Sequence, residues 1–165
     1  MKKAKRKEIS LAPVKESPYR LYILMRVDLP SMNVGKAMAQ AAHAANALVW
    51  YHGKKSTVKE WLDQANGFGT TITLAATKEQ ISTIIPQAIG RLGTAGFVYD
   101  PTYPYIVNSE INSLLDHAYW DTSDPILKEN GQVVCFRNEL TCGYILLNAE
   151  DPIKDELVGE LSLHP

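Results

Sequence analysis

The sequence predicts an α/β fold: a three-layer α/β/α sandwich on a small, mixed, four-stranded sheet. Three observations predict it. Apolar runs rich in β-branched residues alternate with segments of helical periodicity. Their order is strand, helix, helix, strand, helix, strand, a long irregular stretch, strand, helix, which puts helices on both faces of a sheet. The 165 residues, 45% apolar and 21% charged, amount to about one domain with enough material for a core.

Residues 1–18 are charged and end in Ser17-Pro18. They read as a basic, disordered arm, with residues 19–165 forming a single domain. Tyr19 to Val27 is apolar with aromatic and β-branched members, the pattern of a central strand. Asp28-Leu29-Pro30-Ser31-Met32-Asn33 breaks it, and both Ser31 and Asn33 are suited to cap a helix. Val34 to about Tyr51 is rich in alanine, which favours helix and lets it lie close on a sheet. Gly53 stops it.

A shorter helix spans Thr57 to Asn66, punctuated by Gly67-Phe68-Gly69. Thr70 to Ala76 is the second strand. Lys78 to Leu92 has Ile81, Ile84, Ile85, Ala88 and Leu92 at helical spacing, with Pro86 inside and Gly93 at the end. Ala95 to Tyr99 is a third strand, halted by Asp100-Pro101. Residues 102–131 are irregular, with a short helix over Glu110 to Tyr119 and turns at Ser123-Asp124-Pro125 and Asn130-Gly131. Val133 to Phe136 suits a short extra strand, Gly143 to Leu147 the last main strand, and Pro152 opens a closing helix over Ile153 to Glu160.

Composition excludes several classes. No apolar run reaches the roughly 18 residues of a membrane span, and no apolar stretch follows the basic start as it would in a secretory signal. Cys135 and Cys142 are too few for a disulfide framework and lack metal-ligand spacing, so no metal and no cofactor is expected. A reduced, cytoplasmic setting fits. The net charge of −1 is not that of a protein coating nucleic acid. A local basic patch still serves a small RNA contact, and five of residues 2–7 are Lys or Arg.

Chemistry concentrates at the first strand-to-helix junction. Asp28 leaves the strand, Gly35 and Lys36 open the helix, and Lys36, Gln40 and His43 share one helical face. A helix N-terminus favours an anion or a developing oxyanion, and a lysine there holds a phosphate or polarises a carbonyl. Periodicity alone accounts for the same residues as a solvated face, and Gly35-Lys36 without an earlier glycine and a following Ser or Thr is no phosphate loop.

Arg26-Val27-Asp28-Leu29 followed by Gly35-Lys36-Ala37-Met38-Ala39-Gln40-Ala41-Ala42-His43-Ala44 resembles the signature of the class II, archaeal and eukaryotic type, peptidyl-tRNA hydrolases. The resemblance covers about residues 19–106 and 139–163. It implies hydrolysis of the ester between a peptide and the 3′-ribose of tRNA, without a metal. It implies Lys36, Asp100 and Thr141 as catalytic residues, with Asp28, Gly35, Gln40, His43 and Thr102 in support. Arg20, Arg26, Lys54 and Lys55 become candidates for tRNA contacts, and Tyr103 or Tyr105 for base stacking. It leaves a homodimer open, and no membrane partner is implied.

The chain departs from the family at three places. Asp100-Pro101-Thr102-Tyr103-Pro104 stands where the family has Asp-Ala-Gly-x-Thr, Leu140-Thr141 where it has Gly-Thr, and Asn33-Val34 where it has the first Gly-Lys of a doubled pair. Residues 107–138 form an insertion joining two site-bearing segments. Two other readings stand beside hydrolysis. One is a non-catalytic module that binds tRNA or a protein. The other is a hydrolase of a different tRNA-linked or nucleotide ester, its specificity reshaped by His117, Trp120, Asp121 and Asp124.

Overall fold

Strand β1 (Tyr19–Arg26) is apolar from Leu21 to Met25 and buried from Leu21 onward, as a strand covered on both faces must be. A computed structural model of the chain describes residues 17–64, 67–107, 126–127 and 133–165. After β1 come α1 (Val34–His52), α2 (Ser56–Leu62), β2 (Thr71–Ala76), α3 (Lys78–Leu92), β3 (Ala95–Val107), β4 (Ile126–Leu127), β5 (Val133–Asn148) and α4 (Ile153–Val158). The main sheet has the order β2-β1-β5-β3, and the two-residue β4 pairs with the outer part of β5. β1 and β2 are parallel, while β5 runs antiparallel to both β1 and β3, so the sheet is mixed.

The helices divide between the two faces. Ala37, Ala44 and Leu48 of α1, with Val58 and Trp61 of α2, pack on Leu21, Ile23, Met25, Val98 and Tyr144. Ile81, Ile85 and Ala88 of α3, with Ile153, Leu157 and Val158 of α4, pack on Leu24, Leu74, Ala95 and Ile145 from the other side. That is the expected α/β/α arrangement. The period of two along β1 explains it, since Leu21, Ile23 and Met25 face one layer and Tyr22 and Leu24 the other.

Helix ends follow their sequence signals. Asn33, not Ser31, caps α1, its side chain accepting from the Lys36 N–H at 3.0 Å. Thr77 and Gln80 form a reciprocal capping box on α3, and Gly93 ends that helix at φ 63°. The segment after α4 returns to the edge of β2, where Ala75 N–H donates to Ser162 O and His164 N–H to Thr73 O. This covers an otherwise open strand edge.

Two strand boundaries differ from expectation. β3 does not stop at Asp100-Pro101 but runs to Val107, because a shift of register there absorbs the proline. The extra strand expected at Val133–Phe136 is the first part of β5, which is 16 residues long. The arm over residues 1–16, the helix at Glu110–Tyr119, both turns of the insertion, and His117, Trp120, Asp121 and Asp124 lie outside the described residues.

Candidate active site between the end of β1, the bulge of β3 and the start of α1

β1 and β3 run in the same direction on either side of β5, with Met25 and Val98 both opposite Cys142. The carboxyl end of β1 and the irregular middle of β3 lie beside the start of α1, and sites in sheets of this type form where a strand leads into a helix. Two irregularities shape this edge. Val98 pairs with Cys142 and Tyr99 with Leu140, so Thr141 is the extra residue of a bulge on β5. Asp100 pairs with Glu139 and Tyr103 with Arg137, so β3 carries an extra residue at Pro101-Thr102. Bulges re-aim side chains, and these two bring Thr141 and Asp100 toward the same helix.

Gln40 joins them. Its Nε2 donates to Asp100 Oδ2 at 2.7 Å, and its Oε1 accepts from Thr141 Oγ1 at 2.7 Å. The carboxylate fixes the amide's orientation, since turning Oε1 toward Asp100 would set two acceptors face to face. Thr141 has a single hydroxyl hydrogen, which goes to Gln40, with the Val98 carbonyl also near at 3.2 Å. Gln40 is 3% exposed and Thr141 0%. Asp100 Oδ1 further accepts from the Thr102 N–H at 2.9 Å and the Thr102 hydroxyl at 3.2 Å. Among the described residues, three of the four lone-pair positions of the carboxylate are occupied, two on Oδ1 and one on Oδ2.

Lys36 reaches the same loop. Its ammonium lies over the Tyr103 ring, 4.7 Å from the centroid, in cation–π geometry. Tyr103 is buried at 1% exposure, with its hydroxyl 3.9 Å from the Met32 sulfur. Burial pushes the Tyr103 phenol above its ordinary range, aided by the negative charge of Asp100 and opposed by Arg26. The expectation that Tyr103 stacks a base is therefore corrected: its ring is in the core and faces Lys36. The Tyr105 side chain lies outside the described residues.

Beneath this lies an ionic floor. The Arg26 guanidinium grips Asp28 through Nε at 2.9 Å and a second nitrogen at 3.1 Å, and reaches Glu139 at 2.5 Å and the Leu140 carbonyl at 3.0 Å. Asp28 Oδ2 also accepts from the Lys78 N–H at the start of α3. Partial burial pushes the Asp28 carboxyl up, but the bonds from Arg26 and Lys78 and the charge of Arg26 outweigh it and hold the group below its ordinary value. Arg26 is itself held above its ordinary value: burial works against its charge, and the two carboxylates more than compensate. Arg26 and Glu139 are both buried. Arg26 is thus a tie between β1, β5 and α3 rather than a surface contact for RNA, which corrects that expectation.

The remaining candidates scatter. Gly35 is exposed at the start of α1, with only Asn33 Oδ1 near the space a side chain would take. His43 is exposed, whereas Gln40 turns inward with Ala37 and Ala44, so the expected polar stripe splits at the edge of the buried face. Thr141 is fully buried and lies behind Gln40. Arg20 sits six residues back along β1, roughly 20 Å from the site, and donates to the Tyr19 and Ser17 carbonyls. Lys54 and Lys55 lie past the far end of α1, and the Lys55 ammonium bonds the Gly93 carbonyl. Sequence reasoning missed Glu139 and the inward role of Tyr103. The only trace of Glu139 was a charged residue abutting an apolar strand.

Among the described residues no group of His, Cys, Asp and Glu is arranged to hold a metal ion, and no helix is long and apolar enough to cross a membrane. Residues 19–100, which carry Asp28, Lys36, Gln40 and Asp100, match the family model of peptidyl-tRNA hydrolase PTH2. Through this segment the chain belongs to the peptidyl-tRNA hydrolase PTH2 family. The match stops at Asp100, so the PTH2 segment ends where the first departure of the loop begins. Among solved structures, this PTH2 chain is similar to Atu0240 of Agrobacterium tumefaciens strain C58, described as a protein of unknown function. The identity is 11%, over 91% of this chain and 100% of that one, with a TM-score of 0.43. No curated protein matches it.

Proposed function

We propose that this chain hydrolyses the ester linking a peptide to the 3′-ribose of tRNA, without a metal. The observation that carries the reading is the relay Thr141–Gln40–Asp100, assembled from three separate segments beside Lys36. Asp100 accepts a hydrogen of a water through Oδ2 and orients it toward the ester carbonyl. Lys36 stands near the positive end of α1, where charge develops as the tetrahedral oxyanion forms and the ribose oxygen departs. Gln40 and Thr141 keep the carboxylate in place, and Thr102 closes its other side.

The test is release of peptide from an N-blocked aminoacyl-tRNA by wild type, Lys36→Ala and Asp100→Asn, with and without EDTA. Turnover insensitive to EDTA is expected in wild type. Lys36→Ala should lose about 10²–10³ in rate, as removal of an oxyanion donor does. Near-normal turnover by that variant would refute the assignment. A second reading is favoured by the bulged Asp100-Pro101-Thr102 loop, which differs from the family's pattern. Under it the chain binds tRNA without cutting it, and wild type would retain tRNA yet release nothing.

A further inference from the structure

The largest exposed aromatics of α1 lie at the end away from the candidate site. Trp50 is 84% exposed and Tyr51 72%. Together with Asn46 and Lys54 they line an open hollow of about 740 Å³ at the helix C-terminus. The outward face leading there from Gly35 is formed by Met38, Ala42, Asn46 and Val49, all exposed. Two adjacent, largely exposed aromatic rings beside a hollow are a ready contact for a flat partner group.

Charge decides which partner fits. Residues 29–59 contain no Asp or Glu, although the chain has 18 of them, and they contain Lys36, Lys54, Lys55 and Lys59. A second copy of the chain packed face to face would bring lysines against lysines with no carboxylate on this stretch to offset them. A polyanion meets no such conflict. Its flat groups find Trp50 and Tyr51, and its phosphates find Lys54 in the same hollow. We infer that the outer face of α1, centred on Trp50, is a second RNA contact, which binds the tRNA at a distance from the scissile ester. This rests on the proposed tRNA substrate.

The spacing sets which part of the RNA is held. Lys36 and Trp50 are 14 positions apart on one helix, or about 21 Å at ~1.5 Å per residue. At roughly 3.4 Å of axial rise per stacked nucleotide that is about six nucleotides. With the 3′ end at Lys36, Trp50 meets the strand about six nucleotides upstream. Trp50 then sets affinity for RNA that is long enough and does nothing for a shorter piece.

The experiment measures binding of unacylated tRNA, and of a three-nucleotide oligoribonucleotide with the same 3′ end, to wild type, Trp50→Ala and Trp50→Ala/Lys54→Glu. The oligomeric state of each is recorded alongside. Trp50 is outside the core, so its replacement should leave the thermal transition in place. Trp50→Ala should weaken tRNA binding by about tenfold, the loss typical of one aromatic stacking partner, and leave the short oligonucleotide unchanged. Unchanged tRNA binding would overturn the inference. So would conversion of a dimer to a monomer with tRNA binding intact, which would make this face a protein interface. Absence of tRNA binding by wild type would overturn this inference and the proposed substrate together. Trp50-dependent binding without peptide release would leave the inference standing and remove the hydrolase.

Discussion

Gln40 is the residue on which the candidate site turns, because a buried amide between a hydroxyl and a carboxylate has each of its two ends claimed. Replacing it with leucine roughly keeps the volume but leaves one oxygen of Asp100 without the amide donor and Thr141 with only the Val98 carbonyl. An unsatisfied buried polar group costs about 1–3 kcal/mol, so Gln40→Leu should lower stability in urea by that order. It should also lower kcat for the proposed ester more than it changes KM, since Gln40 positions Asp100 and touches no substrate. Equal kcat in the two proteins would show that the relay is structural only. Tyr103 gives a second reading at this scale. Tyr103→Phe keeps the ring under the Lys36 ammonium, whereas Tyr103→Leu removes it. The phenylalanine variant should therefore retain turnover that the leucine variant loses, and equal turnover in both would separate Tyr103 from Lys36.

At the scale of elements, the helices and the central strands were legible because their signals are local. The capping residues Thr77 and Gln80, the glycine at 93 and the isoleucines of α3 lie within a few residues of the boundaries they set. The position of Lys36 followed in the same way from the break at Pro30 and the cap at Asn33. What could not be read was long-range. The bulges at Thr141 and Pro101-Thr102 exist only through pairing of β3 with β5, and the inward turn of Gln40 exists because those bulges present partners to it. His43, one turn further on, is exposed. Arg26 is a similar case: a charged residue ending an apolar strand looks like a surface group until Glu139 arrives from more than a hundred residues away.

The ionic tie that Arg26 makes between elements has a measurable pH signature. Asp28 is held below its ordinary value in the folded chain, so the unfolded chain binds its proton first as pH falls. The stability this carboxylate contributes is complete above its ordinary value and is lost as pH drops through the lower folded value. In Asp28→Asn the urea midpoint should depend less steeply on pH below about pH 4, the ordinary carboxylate range. An identical acid slope in the two proteins would show that the tie carries no pH-dependent stability.

Over the whole molecule the charge is nearly balanced in sum and unequal in placement. The α3 and α4 side carries Glu79, Asp155, Glu156 and Glu160 around one hollow, whereas the stretch from Leu29 through α1 to Lys59 carries no acid at all. A net charge of −1 therefore hides a face suited to phosphate, and association with RNA should depend on where a charge is changed rather than on the total. Lys54→Glu and Lys154→Glu alter the net charge equally, but the first lies on the α1 side and the second on α4. With one fewer phosphate neutralised, the dependence of log K on log salt flattens by about one. Lys54→Glu should flatten the tRNA-binding slope by about that much, and Lys154→Glu should leave it unchanged. Equal flattening by both would mean that tRNA senses only the overall charge of the molecule, and that the acid-free face of α1 has no separate part in holding it.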